Sequence, residues 1–485
     1  MLSAKNITGM YRKIPSSVIN WKMLLHNYSS TITSLAIQPY SSSKNITRNK
    51  NILPYTNLKP LNLNLKSHNI PSLINVDSKF LYWFAGFVDG EGSFAIYLPK
   101  NKNAVRFTLT IQLHIDDILV LQKIQKVLNI GKIITHKNVA IWQVAKHSEL
   151  VNTLVPILKF TDLHTTKRFD FYDWSKGIEL KNNVPSAYKT SDRRLLTPSL
   201  LNEIKLLRDS LNKARVSQLA LKYPVGSQPM DLLPTINPYW LLGFIEGEGS
   251  FSVSAFKNQF KLGQEGFSLP VLLSIERYIS DLPKLFDYTT GSPKPKASIA
   301  YSEKENYAQL TYSNVDTLFD YILPFLLRLD YFQTRKAIDF KLWAVLLILR
   351  KSGIFFLPQG KTLGHILVNS INNRRYTNAI EGIKSAVPQA LIESVLALTP
   401  PYNMYNGLNH TQHSQKLSGL LRRNKENLLF VYISDGTQVS GSPFNSYLLA
   451  SSTLNIPRHL LQNWVDVPFP YENKYYLRTK ENLDM

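Results

Sequence analysis

Residues 82–94 read YWFAGFVDGEGSF, and 157 positions later residues 239–251 read YWLLGFIEGEGSF. Nine of the thirteen paired positions are identical, among them Gly86/Gly243, Gly90/Gly247, Glu91/Glu248 and Gly92/Gly249. One such stretch could be no more than an apolar helix whose terminal glycines lead into a strand. Two copies that keep the acid together with the glycines point to a shared chemical purpose.

Each copy starts as a helix should. Ser78 is placed to cap the first, and Asn237 followed by Pro238 gives the second a cap and a first-turn proline. Both are apolar almost all round, so both need burial. The matched Gly86 and Gly243 allow two backbones to approach where a side chain would hold them apart. The two helices are therefore expected to pack on each other as a pseudo-dyad. That arrangement brings Glu91 and Glu248 together at the negative ends of two helix dipoles, where a pair of anions calls for a cation. Two carboxylates and the free carbonyls of Gly90 and Gly247 suit a hard divalent ion such as magnesium, with room left for phosphate and water. The expected chemistry is phosphodiester hydrolysis.

The stretches FAGFVDGEG (84–92) and LLGFIEGEG (241–249) resemble the LAGLIDADG motif of intron-encoded homing endonucleases, in the form with two motifs per chain. The resemblance implies that the eighth motif residue, here Glu91 and Glu248, binds the metal. It implies an α+β fold: two pseudo-symmetric αββαββα halves whose antiparallel sheets form a saddle over DNA, with a small C-terminal α/β module added. It also implies a lysine near the metal at the end of the last strand of each half. Lys146 stands there in the first half, whereas alignment through Pro156 and Pro324 puts Asn314 in the second. If both lysines are needed to stabilise phosphate charge, one strand would be cut more slowly.

At 485 residues the chain can hold two or three compact units. Lys and Arg total 56 against 34 Asp and Glu, and the net charge of +22 favours a polyanionic partner over an acidic small molecule. The best apolar run, LWAVLLIL (342–349), stops at Arg350 and Lys351, so no transmembrane helix is expected. The absence of cysteine excludes disulfides, thiolate zinc sites and cysteine nucleophiles. Residues 1–76 contain nine Lys or Arg and no acid, which reads either as the start of a mitochondrial transit segment or as a disordered basic tail. The Asn, Lys, Ile and Leu bias suggests an organelle-encoded intron reading frame, and a mitochondrial location is the expectation.

The repeat continues past the motif. VRFTLTIQLHI (105–115) alternates apolar and polar residues as a half-buried strand does, and FSLPVLLSI (267–275) reads as its counterpart. Residues 139–158 align with 306–326 as strand then helix, and Thr166-Lys167-Arg168 aligns with Thr334-Arg335-Lys336 as a basic helix start. SLNKAR (210–215) returns as SINNRR (370–375). These echoes divide the chain into a basic extension (1–77), a first repeat (78–215), a linker (216–236), a second repeat (237–375), a connector (376–427) and a terminal module (428–485).

On the polar strand faces, Arg106, Thr108, Gln112, His114, Lys257, Gln309 and Thr311 are candidate groove contacts, although each taken alone fits an ordinary solvated face. His114 is given no chemical role. Residues 428–478 read as strand, two short helices around Leu454-Asn455-Ile456, and strand. They resemble the helix-turn-helix modules appended to homing endonucleases, which would set Arg458, His459 and Gln462 toward a groove. The competing reading is a plain packing unit with Leu449, Leu454, Leu460 and Trp464 as core.

Three functions are left in competition: a metal-dependent double-strand DNA homing endonuclease that promotes intron mobility, an RNA maturase that stabilises a folded group I intron, and a DNA-binding regulator without catalysis. The retained acids favour the first. The internal duplication already supplies a dyad, so a monomer is expected.

Overall fold

The computed structural model describes residues 70–99, 104–184, 186–188, 191–194, 196–212, 233–254, 256–284, 294–302, 304–371, 387–402, 408–423, 428–479 and 481. Most of the expected extension and linker, and the last residues of the SLNKAR/SINNRR echo, lie outside them.

The first half runs α1 (Ser78–Glu91), β1 (Gly92–Tyr97), β2 (Arg106–His114), α2 (Ile118–Leu128), β3 (Lys132–His136), β4 (Val139–Val144), a helix ending in α3 (Val155–Thr161), α4 (Lys167–Asn182) and α5 (Pro198–Asp209). The second runs α6 (Pro238–Glu248), β5 (Gly249–Ser254), β6 (Lys257–Glu265), α7 (Leu269–Ser280), β7 (Ser298–Ser302), β8 (Tyr307–Tyr312), a helix ending in α8 (Leu323–Leu329) and α9 (Lys336–Ser352). Each half builds a four-stranded antiparallel sheet, ordered β1-β2-β4-β3 and β5-β6-β8-β7. The expected pair of αββαββα units is therefore present.

The motif helices lie back to back at the centre. A methyl group placed on Gly86 would sit 1.9 Å from the Trp240 carbonyl oxygen, and one on Gly243 would sit 1.9 Å from that of Trp83. No side chain fits at either position, so the expected backbone contact is what the glycines provide. Phe80, Leu81, Trp83, Phe84, Leu241, Leu242 and Phe244 are buried around it.

Two local expectations are corrected. Asp77, not Ser78, caps α1, its carboxylate accepting from Lys79 N at 2.9 Å; Ser78 is already the first helical residue. Asn237 does cap α6, accepting from Tyr239 N and Trp240 N. Residues 267–275 are not a strand: a turn at Gly266–Ser268 leads into α7, and the counterpart of β2 is β6. The buried Val271, Leu272, Ile275 and Ile279 recur at helical spacing, and Pro270 sits in the first turn, where its missing N–H costs no hydrogen bond. The connection 255–256 is shorter than its equivalent 98–105, which moves the second strand toward the motif.

Beyond α9, the helices α10 (Pro358–Ser370) and α11 (Gln389–Leu396) build a second core with Leu346, Phe355, Leu363 and Ile392. The segment expected as a connector thus carries α11 and α12 (His410–Arg423). The start of α12 is held by Asp316, which accepts from His410 N at 3.1 Å and pairs with buried Lys351 Nζ at 2.6 Å. The terminal module is β9 (Phe430–Ile433), α13 (Tyr447–Leu454), α14 (Arg458–Trp464) and β10 (Tyr475–Arg478), with β9 and β10 antiparallel and Asn455 in the left-handed conformation between the helices. It docks on α10 through His365, whose ring lies 4.0 Å from that of Trp464 and whose Nε2 is 3.3 Å from Asn463 O.

Candidate active site at the paired helix ends

Where the motif helices end, their backbones touch. A methyl on Gly90 would lie 3.1 Å from Gly247 Cα and 3.4 Å from Glu248 Cγ, and one on Gly247 would lie 3.5 Å from Glu91 Cγ. The expected meeting of Glu91 and Glu248 is thus present, with Glu91 half-buried and Glu248 exposed at the rim. Both carboxylates are pushed above their ordinary range. For Glu91 the causes are loss of water, then repulsion by Glu248 and by Asp117, opposed by Lys167 and Lys336. For Glu248 loss of water dominates, opposed by Lys167, a hydrogen bond from Gln264, and Lys336.

Two lysines beyond the expected Lys146 reach the helix ends. Lys146 is exposed and pairs with Glu149 at 3.7 Å. Lys167, at the start of α4, donates from Nζ to Gly90 O at 2.5 Å and to Val88 O at 3.3 Å. Lys336, at the start of α9, donates to Gly247 O at 3.1 Å, Gly249 O at 2.6 Å and Ile245 O at 3.1 Å. The ammonium groups plug the carbonyl ends of the two helices, a favourable place for a cation. Burial lowers the Lys167 pKa, while Asp89, Glu248 and Glu91 hold it up. The sequence carried this pair, but in a register shifted by one: Thr165-Thr166-Lys167, not Thr166-Lys167-Arg168, superposes on Thr334-Arg335-Lys336.

A second matched pair of acids escaped the sequence reading. Asp89 and Glu246, two residues before the rim glutamates, are buried. Asp89 accepts from His164 N, Thr165 N and Oγ1, and from the Trp240 indole of the opposite helix at 2.9 Å. Glu246 accepts from Gln333 N, Thr334 N and Oγ1, and from the Trp83 indole at 2.6 Å. These acids lock the lysine-bearing loops to the helix pair. The available signal was a Trp and an acid six residues apart in both copies.

A cavity of about 320 Å³ opens beside Glu91, lined also by Leu113, His114, Asp117, Thr334, Lys336 and Asp339. Among the described residues no group of three or more His, Asp or Glu is arranged to hold a metal. The donor set is two crowded carboxylates, with the Gly90 and Gly247 carbonyls already accepting from lysines. It fits a hard divalent ion whose remaining positions are filled by phosphate oxygens and water.

The candidate contact residues lie on the unburied faces of the sheets. Arg106 and Gln112 are exposed and Thr108 and His114 partly so on β2, in register with Tyr97, Ile141, Ala95 and Val139. Lys257 is exposed at the start of β6, and Gln309 and Thr311 are partly exposed on β8. His114 turns back on its own chain, Nδ1 accepting from Asp116 N at 3.3 Å. The same faces also present Lys132, Lys261, Tyr97 and Tyr307, which the sequence pattern did not single out. Arg458 and His459 are exposed on α14, and Gln462 is partly buried.

Residues 84–178 and 241–347 match the sequence model of the family described as LAGLIDADG endonuclease. With a match in each half and the two motif helices paired, the chain is similar to LAGLIDADG endonucleases that carry two motifs. It is 27% identical over 425 residues, 85% of this chain and 84% of its relative, to an uncharacterized mitochondrial protein RF1 of Saccharomyces cerevisiae. It is 30% identical over 194 residues, 37% of this chain and 34% of its relative, to a probable intron-encoded endonuclease 3 of Neurospora crassa. Among solved structures it is similar to the LAGLIDADG homing endonuclease I-GzeII in complex with its DNA target, with a TM-score of 0.49, 22% identity, and coverage of 61% of this chain and 99% of that one.

Proposed function

We propose that this chain is a divalent-metal-dependent DNA endonuclease of the homing type, cutting both strands of a specific duplex site. The observation that carries the proposal is the convergence of Glu91 and Glu248 with Lys167 and Lys336 at the end of the helix pair. The flanking sheets present Arg106, Lys132, Lys257 and Lys261 on unburied faces, as a surface meant for a phosphate backbone would. Similarity to a protein named as an intron-encoded endonuclease supports the same reading.

Glu91 and Glu248 would hold the ion, and Mg2+ is the expected species. When bound, the ion supplies an activated water and charge neutralisation at the leaving oxygen. Lys167 and Lys336 place positive charge where the pentavalent phosphate becomes more negative. Asp89 and Glu246 keep the lysine-bearing loops in position, and the buried apolar wall of the helix pair keeps the site rigid. Arg106, Thr108, Gln112, His114, Lys257, Gln309 and Thr311 would line the groove, and Arg458 and Gln462 would add contacts from the terminal module. Lys146, exposed and paired with Glu149, would add a third positive charge at the end of the last strand of the first half.

The chain would act as a monomer, with its two halves standing in for two subunits. A mitochondrial setting is supported by the similarity to the yeast mitochondrial protein. The deciding experiment incubates purified protein with Mg2+ and a duplex site that it has itself selected from a random-sequence library. Cleavage by wild type and its loss in Glu91→Gln and Glu248→Gln are expected. Unchanged cleavage in both variants would refute the assignment, and acceleration of group I intron splicing without any DNA cleavage would favour the maturase reading.

A further inference from the structure

The two four-stranded sheets share one plan but not one open face. In the first half, β4 turns Ala140, Trp142 and Val144 into the core and leaves Val139, Ile141 and Gln143 on the open side. Ile141 lies directly opposite Ile134 of β3 and opposite Gln112 of β2. Ile134 is 38% exposed, so two β-branched side chains form an apolar pair on the same open face as Arg106, Gln112, Lys132 and His136. The register places Gln309 of β8 where Ile141 stands and Ala300 of β7 where Ile134 stands. The second sheet holds together without such a pair, so strand pairing does not require it. Because β3 is the edge strand, an exposed apolar pair there invites association unless something covers it.

The neighbours of the pair select its cover. Arg106 Nη2 donates to Gln143 Oε1 at 3.4 Å, and Lys132 lies opposite the same glutamine, which is two residues along the strand from Ile141. Cations beside two apolar side chains suit a partner that is anionic along its rim and carries a methyl group between. Duplex DNA offers that combination where phosphates flank the C5 methyl of thymine in the major groove; uracil lacks the methyl. Resting on the DNA endonuclease reading above, we propose that Ile134 and Ile141 are specificity-determining residues that read thymine methyl groups in the half-site facing the first repeat. Ala300 and Gln309 leave the second repeat without that preference at the equivalent place.

The test measures binding by fluorescence anisotropy with the full chain and no divalent metal, so that cutting does not intervene. Duplexes selected from a random-sequence library should carry thymine at one or more fixed positions of one half-site. Replacing such a thymine with deoxyuridine removes only the methyl group and should weaken binding about fourfold, the worth of one buried apolar carbon. In the double variant Ile134→Ala/Ile141→Gln, which carries the second repeat's own residues, thymine and deoxyuridine should bind alike at that position. At thymines elsewhere in the site the variant should behave as wild type. Circular dichroism checks that the variant is folded, and Ile141→Gln alone gives the same comparison if the double variant is not. Equal binding of thymine and deoxyuridine duplexes by wild type, or a methyl preference that survives in the folded variant, would overturn the proposal. Failure of wild type to select any duplex would instead refute the DNA reading on which it rests.

Discussion

The indole N–H of Trp240 donates to Asp89 Oδ2 across the helix pair at 2.9 Å, and Trp83 returns the contact to Glu246 Oε2 at 2.6 Å. Each half therefore supplies the last hydrogen bond that the other's buried acid needs. Trp240→Phe keeps most of the ring volume but leaves Asp89 one donor short. Equilibrium unfolding should show a loss of about 1.5–3 kcal/mol, the range for hydrogen bonds to charged groups. Trp83→Phe should cost a similar amount, and a neutral result for both would mean that the indoles only fill space.

Gly86 and Gly243 meet backbone carbonyls, which cannot swing away as a side chain can. Gly86→Ala should destabilise by about 3 kcal/mol or more, at or above the upper end for overpacked cores. Ser93→Ala on the exposed strand face serves as the control and should change stability by no more than about 0.5 kcal/mol. Chemical denaturation with a tryptophan fluorescence readout distinguishes the two.

Lys167 and Lys336 serve chemistry more than cohesion in this reading. Lys336→Met should lower the rate of at least one strand cut by about a hundredfold, comparable to removal of an oxyanion donor, with DNA binding largely kept. A drop in binding that matches the drop in rate would reassign the lysine to substrate capture.

The sheet faces predict a steep dependence of binding on salt. Each phosphate neutralised contributes a slope of about 0.9 in log affinity against log salt concentration. Arg106→Ala or Lys261→Ala should flatten the slope by about that amount, measured by fluorescence anisotropy from low to moderate salt. A slope unchanged by both would place the DNA elsewhere on the molecule.

Docking of the terminal module should fail in acid. Burial pushes His365 down to about 4 from 6.5, against Phe256 and Trp464, and pushes His410 down to about 4 at the start of α12. The unfolded or undocked forms bind protons more readily than the folded one between these values. Stability is therefore complete above about pH 6.5 and falls as pH drops toward 4, by at most about 1.4 kcal/mol per unit for each histidine. Trp464 fluorescence should report the undocking, and His365→Gln should shrink the acid response. A flat profile over that window would show that neither histidine is buried in solution.

The parts of the fold that could be read from the chain are those where local pattern and repetition agree. YWFAGFVDGEGSF and YWLLGFIEGEGSF announced a buried helix twice, and the glycines announced close packing. The alternation in 105–115 announced β2. Residues 267–275 defeated the same reasoning, because an apolar run with a proline fits a strand's face as well as a helix's first turns until its neighbours are known. Lys167 and Lys336 were passed over for a related reason: distance along the chain does not say which lysine reaches a helix end.

Sequence alone determined that two matched helices exist, that each ends in an acid, and that the chain is basic enough to seek a polyanion. These are properties of side-chain type and period, which local physics and duplication make explicit. Tertiary structure alone decided that Lys167 and Lys336 fill the carbonyl ends and that each tryptophan serves the opposite half's acid. Those relationships join residues as far as 163 positions apart. They arise only when packing forces distant groups to satisfy one another's charge and hydrogen bonds away from water.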